Sequence, residues 1–187
     1  MIKRLFIAVN LPLAIKEQLH ELVLKLQKDN KNKPVKWVEK ENFHLTLHFL
    51  GSVPEEKIKT INQDIEPIVA NFQTLNFQLS NAINAFPDLN NPKVVFLEMK
   101  ELNDGKTVKL QKEIGQALLR LGFEIDYRPF KLHLTLGRIK FKTSIAIPKF
   151  SFQASKFRIQ SIDLMSSELT SSGPIYSIVK TYNLKGN

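Results

Sequence analysis

The sequence predicts an α+β fold of two pseudo-symmetric lobes, each an antiparallel sheet with helices on its outer side. The tetrapeptide HLTL occurs twice, beginning at His44 and at His133, and both copies lie in runs that alternate in polarity as strands do. An amphipathic helix pattern precedes each copy, since 38 residues separate Phe6 from His44 and 37 separate Phe96 from His133. Matching elements at matching spacing indicate an internal duplication. We therefore expect residues 1–187 to form one two-lobed domain whose motif strands face a central cleft.

The first half of the chain predicts two strand-helix units. The β-forming run RLFIAVNL precedes Pro12, which favours the first turn of a helix, and apolar residues then recur at helical spacing. Gly51 is expected to end the first motif strand, and Pro54 to begin the second helix. The predicted elements are a strand over 4–11, a helix over 12–29, strands over 36–38 and 43–50, and a helix over 54–70.

The second half predicts a hairpin, a helix, the second motif strand and a group of C-terminal strands. The turn-forming segment PDLNNP separates the hairpin strands, and Gly122 is placed to cap the third helix. Helices and strands that do not alternate strictly are typical of the α+β class. The predicted elements are strands over 75–86 and 93–99, a helix over 104–121, and strands over 130–141, 151–153, 157–169 and 175–184.

Composition narrows the class of protein. Lys and Arg number 27 against 18 Asp and Glu, and the net charge of +9 suits either a protein that meets phosphates or simply a soluble, lysine-rich surface. The absence of cysteine excludes disulfides, thiolate metal sites and cysteine nucleophiles. Apolar runs are too short to span a bilayer, and Asn10 and Pro12 interrupt the N-terminal one, so no signal peptide is predicted. We expect a cytoplasmic protein with no membrane association.

Strict alternation along the motif strands separates a core face from a polar face. The polar face presents His44, Thr46 and His48 in the first motif, and His133 and Thr135 in the second. The core face carries Phe43, Leu45, Leu47 and Phe49 in the first motif, and Phe130, Leu132, Leu134 and Leu136 in the second.

Two opposed His-x-Thr faces suit the hydrolysis of a phosphodiester. A neutral imidazole accepts a proton from water while a protonated one donates to the leaving oxygen, and each role is typically worth ~10²- to 10⁴-fold in rate. Threonine hydroxyls donate to the non-bridging oxygens, and Arg138 supplies a guanidinium suited to bidentate phosphate contact. His48 is a further candidate for contacting substrate, although Gly137 interrupts the pattern in the second motif.

Other uses of these residues are weaker. A single HLTL is typical of an ordinary strand, but strand propensity does not demand histidine twice. On a strand His44 and His48 are ~13 Å apart, too far to share a metal ion. The chain has no HExxH, no GxxxxGK[ST] and no GxGxxG, so we expect no metal site and no nucleotide-dependent kinase or ligase chemistry. A Ser/His/Asp triad stays open, but it lacks a GxSxG turn and leaves the second His-x-Thr unexplained.

The paired motifs and their flanks resemble the two-histidine phosphoesterase superfamily. The segments RLFIAVNLP, KWVEKENFHLTLHFLG, RPFKLHLTLGR and SSELTSSGPIYSIVKTYNL are similar to its RNA 2',3'-cyclic phosphodiesterase branch, also described as 2'-5' RNA ligases. The resemblance implies hydrolysis of a 2',3'-cyclic phosphate at an RNA or nucleotide end to a 2'-phosphomonoester, with no cofactor. Leu132 and Gly137 depart from the proline and alanine that relatives often carry there.

The resemblance also implies roles for individual residues. His44 matches the proton donor to the departing 3'-oxygen, and His133 the acceptor that activates water. Thr46 and Thr135 match the paired hydroxyl positions, and Arg138 the basic residue after the second motif. From the residues alone, the pseudo-symmetry leaves the acid and base assignments open.

Two alternative functions are considered. The same site would also support 2'-5' RNA ligation, with an RNA 5'-hydroxyl in place of water. From another class, a basic, non-catalytic RNA-binding module would use aromatics near the motifs such as Trp37, although alternation assigns Phe43 and Phe130 to the core. The expected partners are RNA ends or small nucleotides with a 2',3'-cyclic phosphate, and the expected state is a monomer.

Overall fold

The structure, a computed structural model, describes residues 1–102, 104–152, 156–171 and 173–186. Helices and antiparallel strands are mixed along this part of the chain as the α+β class requires. The elements are β1 (Ile2–Asn10), α1 (Leu13–Asp29), β2 (Val35–Trp37), a 3-10 turn (Lys40–Asn42), β3 (His44–Pro54), α2 (Lys57–Ala70), β4 (Leu75–Phe86), β5 (Val94–Glu101), α3 (Lys106–Arg120), β6 (His133–Ile139), β7 (Lys156–Ile159), β8 (Ser161–Leu169) and β9 (Pro174–Asn183).

The strands form two antiparallel sheets. The four-stranded sheet has the order β3-β1-β8-β9, and the five-stranded sheet has the order β2-β6-β5-β4-β7. Each HLTL motif lies in a different sheet, and each pairs with the strand that precedes its helix, β3 with β1 and β6 with β5. The two motif strands contact each other, so the sheets meet along them.

The helices cover the apolar faces of both sheets. The apolar residues predicted at helical spacing in the first helix form a buried stripe along α1, which confirms that prediction. Side chains of α2 and α3 join the same core as the two sheets. Full burial of each such Leu or Ile contributes about 1.5–3 kcal/mol. The stripe of α1 is Ile15, Leu19, Leu22, Val23 and Leu26.

The C-terminal end of α3 confirms the predicted glycine cap. Gly122 has φ +82°, a left-handed conformation that costs glycine little. Its N–H donates to the Leu119 carbonyl at 2.9 Å, and the N–H of Phe123 donates to the Leu118 carbonyl at 2.9 Å. This is the Schellman pattern of hydrogen bonds, which satisfies carbonyls that a helix end leaves open.

The prediction for the end of the first motif strand is wrong. Strand β3 continues through Gly51, which has φ +71°, and pairs with β1 as far as Pro54. Proline is tolerated here because β3 is an edge strand, and α2 therefore begins only at Lys57. None of the helices in the described ranges is long and apolar enough to cross a membrane.

The C-terminal strands also differ from the prediction. The strand predicted over 157–169 breaks at Gln160, where the chain passes from one sheet to the other. Strand β7 pairs with β4 in one sheet, whereas β8 pairs with β1 and β9 in the other. Of the strand predicted over 151–153, residues 151–152 are not in a strand and residue 153 lies outside the described residues.

Candidate active site

A β-bulge interrupts the first motif strand directly after its threonine. In the pairing of β3 with β1, Thr46 lies opposite Ala8 and His48 lies opposite Ile7. Two steps on β3 thus match one step on β1, which makes Leu47 the additional residue. A bulge adds one residue to a strand of period two, so it reverses the faces of the residues that follow, here up to a second irregularity between Phe49 and Gly51.

The second motif strand carries the same bulge at the same position. In the pairing of β6 with β5, Thr135 lies opposite Phe96 and Gly137 lies opposite Val95, so Leu136 is the additional residue. Histidine and threonine precede the bulge in both motifs. They keep the face that alternation predicts, and both threonines are half-buried on it.

The bulges bring different residues to the histidine face than alternation predicts. Phe49, predicted in the core, is 63% exposed, and its ring centroid is 6.1 Å from that of Phe6. Arg138 occupies the equivalent position in the second motif and is also exposed. By strict alternation Arg138 would face the core, so the bulge places its guanidinium beside the histidines.

The placement of His48 on the histidine face is wrong. The bulge turns His48 to the core side, where it is 4% exposed and its Nε2–H donates to the Gln111 carbonyl of α3 at 2.7 Å. The ring lies against Gly115, since a Cβ added there would be 2.9 Å from Cε1 of His48. His48 therefore packs the motif strand against α3 and does not line the site.

We expect Gly115→Ala to destabilise the protein, although glycine to alanine inside a helix usually stabilises by about 1 kcal/mol. The added Cβ would meet the His48 ring at 2.9 and 3.2 Å, and such overpacking typically costs ~1–3 kcal/mol. Urea unfolding of Gly115→Ala, His48→Ala and the double variant measures the coupling. In the His48→Ala background, Gly115→Ala should lower the free energy of unfolding much less than it does in the unmodified protein. If the effects of the two substitutions on the free energy of unfolding simply add, the contact is contradicted.

Gly137 occupies the position in the second motif that His48 holds in the first. A Cβ at Gly137 would be 2.8 Å from Cε3 of Trp37 and 3.0 Å from Cγ1 of Val35, both on β2. The glycine thus lets β2 lie close against β6. The alanine that relatives often carry at this position would add that Cβ, so glycine in place of alanine fits the close contact between the two strands.

Both site histidines are held by the same local hydrogen bond. Nδ1–H of His44 donates to the carbonyl of Asn42 at 2.7 Å, and Nδ1–H of His133 donates to the carbonyl of Lys131 at 2.8 Å. Because a carbonyl oxygen only accepts, Nδ1 carries the proton in each ring. Nε2 is then the atom that exchanges a proton with a bound group.

Aromatic rings from neighbouring strands fix each imidazole from two sides. Two of these rings belong to Phe6 and Phe96, the residues that mark the repeat spacing in the two halves of the sequence. Their matching distances along the chain from His44 and His133 are therefore the sequence signal by which these two rings could be found. The centroid distances are 5.1 Å to Phe6 and 5.3 Å to Tyr176 for His44, and 5.1 Å to Phe86 and 5.2 Å to Phe96 for His133.

Burial and nearby cations lower the pKa of both imidazoles in the free protein. Desolvation, together with the positive charges of Lys16, Arg138 and a protonated His133, lowers the pKa of His44 to about 4, although the hydrogen bond to the Asn42 carbonyl opposes this. Desolvation also lowers the pKa of His133, with the charge of Arg138 adding to it. Arg138 thus lowers the pKa of both imidazoles, as expected for a guanidinium close to both motifs.

A cavity of about 400 Å³ lies on the His44 side of the site. Asn42, whose carbonyl holds His44, and Tyr176, whose ring contacts His44, both line it. The side chain of Asn42 donates to the Pro174 carbonyl at 3.2 Å and so ties the 3-10 turn to β9. Within the described ranges, no three or more His, Asp or Glu side chains are grouped to hold a metal ion.

Comparison with known proteins gives a consistent result. The family model described as LigT-like phosphoesterase matches residues 9–96 and 101–176. The RNA 2',3'-cyclic phosphodiesterase of Methanocaldococcus jannaschii is 37% identical over 186 residues, which cover 96% of this chain and 99% of that protein.

Solved structures agree with the sequence comparison. A Thermus thermophilus crystal structure is similar with a TM-score of 0.84 at 26% identity, over 98% of this chain and 99% of its own. Escherichia coli LigT in complex with 3'-AMP is similar with a TM-score of 0.80 at 26% identity, over 98% of this chain and 99% of its own. The predicted α+β fold is confirmed.

Proposed function

The chain belongs to the LigT-like phosphoesterase family, and from this premise we propose that it hydrolyses the 2',3'-cyclic phosphodiester of an RNA or nucleotide end to a 2'-phosphomonoester. The observation that carries the proposal is the matched pair of imidazoles. His44 and His133 come from different sheets, each is held through Nδ1, and Arg138 acts electrostatically on both.

The reaction needs one proton taken up and one released. Water attacks phosphorus and gives its proton to Nε2 of His133, while the bond from phosphorus to the ribose 3'-oxygen breaks and that oxygen receives the Nε2 proton of His44. The pair ends with the proton on His133 instead of His44, and exchange with solvent restores it. Each transfer accounts for ~10²- to 10⁴-fold in rate.

The cavity supports His44 as the donor. Water must attack opposite the leaving oxygen, so the ribose and the water lie on different sides of phosphorus. The cavity of about 400 Å³ is next to His44 and leaves room on that side for the nucleoside to which the ribose belongs. His133 then faces the attacking water, as the family resemblance implies.

Threonine and arginine would bind the phosphoryl oxygens. Thr46 and Thr135 lie two residues beyond the histidines on the same face, where their hydroxyls donate to the non-bridging oxygens. Arg138 neutralises the charge that builds there in the transition state.

We expect kcat/KM to peak on the acid side of pH 6.5 and kcat to peak at a higher pH. The kcat/KM profile reports the free protein, in which the pKa values of His44 and His133 both lie below 6.5. A bound phosphate anion favours both imidazolium forms and therefore raises both pKa values in the complex. Rate profiles from pH 4 to 9 at constant ionic strength measure this, and coincident optima would contradict it.

The activity is tested with the four nucleoside 2',3'-cyclic phosphates, resolving 2'- from 3'-monophosphate by chromatography. We expect the 2'-phosphate alone, at a rate unchanged by a chelator. A 3'-phosphate product would reverse the assignment of the leaving oxygen. If none of the four is hydrolysed, and RNA with a 2',3'-cyclic end is also left intact, the proposed function is wrong.

A further inference from the structure

A buried carboxylate lines the cavity beside His44 and takes no part in the phosphate chemistry. Asp163 on β8 is 4% exposed. Nδ2 of Asn10 donates to its Oδ2 at 2.7 Å, and Oγ1 of Thr181 donates to its Oδ1 at 2.6 Å. Each carboxylate oxygen can accept a second hydrogen bond, so Asp163 retains acceptor capacity.

The opposite charge also lines this cavity. Nζ of Lys16 donates to the Glu41 carbonyl at 2.7 Å, and the ammonium has two further N–H groups. Burial lowers the pKa of Lys16, while Glu41 and Asp163 oppose this, which places the ammonium within electrostatic reach of the carboxylate. The cavity therefore offers acceptors and donors to one occupant, with Tyr176 and Ile178 as apolar wall.

Size and position favour a nucleobase as that occupant. A volume of about 400 Å³ falls within the range of small-molecule sites. If the ribose lies on the His44 side of the phosphate, its base extends away from the cleft and into this cavity.

We propose that the cavity binds the base of the nucleotide that carries the cyclic phosphate, and that the Asp163 carboxylate accepts a hydrogen bond from an exocyclic amino group of that base. The inference rests on the proposed function, because that function puts the ribose next to His44. A carboxylate accepts from the cytosine 4-amino group but is repelled by the 4-oxo group of uracil, which has the same shape. The site therefore selects cytosine over uracil.

The test compares cytidine and uridine 2',3'-cyclic phosphates, which differ at the atoms that Asp163 would read. We expect kcat/KM for the cytidine substrate to be about tenfold higher. Asp163→Asn should bring the ratio close to one, because an amide can also donate to the uracil oxygen. Asp29→Asn is the matched control, since it makes the same change at an exposed carboxylate at the end of α1, outside the cavity, and its ratio should stay near that of the unmodified protein.

Binding of the products separates failure of this inference from failure of the proposed function. Calorimetry with cytidine 2'-phosphate and uridine 2'-phosphate should show the same preference and the same loss in Asp163→Asn, whether or not turnover occurs. Equal affinities and equal rates for the two bases in the unmodified protein would overturn the base site, and hydrolysis would still stand. An unchanged preference in Asp163→Asn would overturn the role of Asp163.

Discussion

Replacing either His44 or His133 by alanine should lower kcat for cyclic-phosphate hydrolysis by about 10²- to 10⁴-fold, the usual contribution of a general acid or base. The double variant should lose little beyond the worse single variant, because an acid and a base that act in one step are not additive. Steady-state rates on cytidine 2',3'-cyclic phosphate measure all three variants. Wild-type hydrolysis by the double variant would exclude the two-histidine mechanism.

Two further variants separate proton transfer from packing. In His44→Asn and His133→Asn the side-chain amide can still donate to the carbonyl of Asn42 or Lys131, but no atom replaces Nε2. Both should be as inactive as the alanine variants. His20→Ala, which changes a histidine of α1 outside the site, should keep full activity.

The sequence could predict the face of the proposed site residues because they precede the bulges. His44, Thr46, His133 and Thr135 follow strict alternation from the start of each strand, so a period of two places them correctly. The identical tetrapeptide made their pairing visible. The repeat spacing also included Phe6 and Phe96, but it could not tell that their rings pack against the imidazoles.

The errors lie where alternation fails. Leu47 fits an ordinary strand position, and nothing in its identity marks it as an additional residue, so His48 and Phe49 were assigned to exchanged faces. Nothing in the local sequence marks the break at Gln160 either, because the residues on both sides of it have the pattern of a strand. Such features depend on pairing with distant strands, which a local pattern does not contain.

The paired bulges support the proposed duplication more strongly than the spacing does. Leu47 and Leu136 are both the additional residue, and both follow the threonine of an HLTL motif. The repeat therefore extends to an irregularity of the backbone. What differs is the residue that each bulge turns toward the site, Phe49 in one lobe and Arg138 in the other, and this difference gives one site two unlike sides.

Arg138→Ala should lower kcat by about 10²- to 10³-fold, the usual cost of removing a group that stabilises developing negative charge. The kcat of Arg138→Lys should lie between those of the unmodified protein and of Arg138→Ala, because lysine keeps the charge but not the bidentate geometry. Arg128→Ala is the matched control: Arg128 is exposed and paired with Asp126, and its loss should leave kcat unchanged.

The pH profile tests whether Arg138 acts through charge. Its guanidinium lowers the pKa of both His44 and His133, so its removal raises both and moves the acid limb of kcat/KM to higher pH. Arg138→Lys should keep the limb near its original position, because the positive charge remains. A loss of kcat in Arg138→Ala with an unshifted limb would mean that the residue acts on the fold of the β6 bulge and not on the histidines and the phosphate.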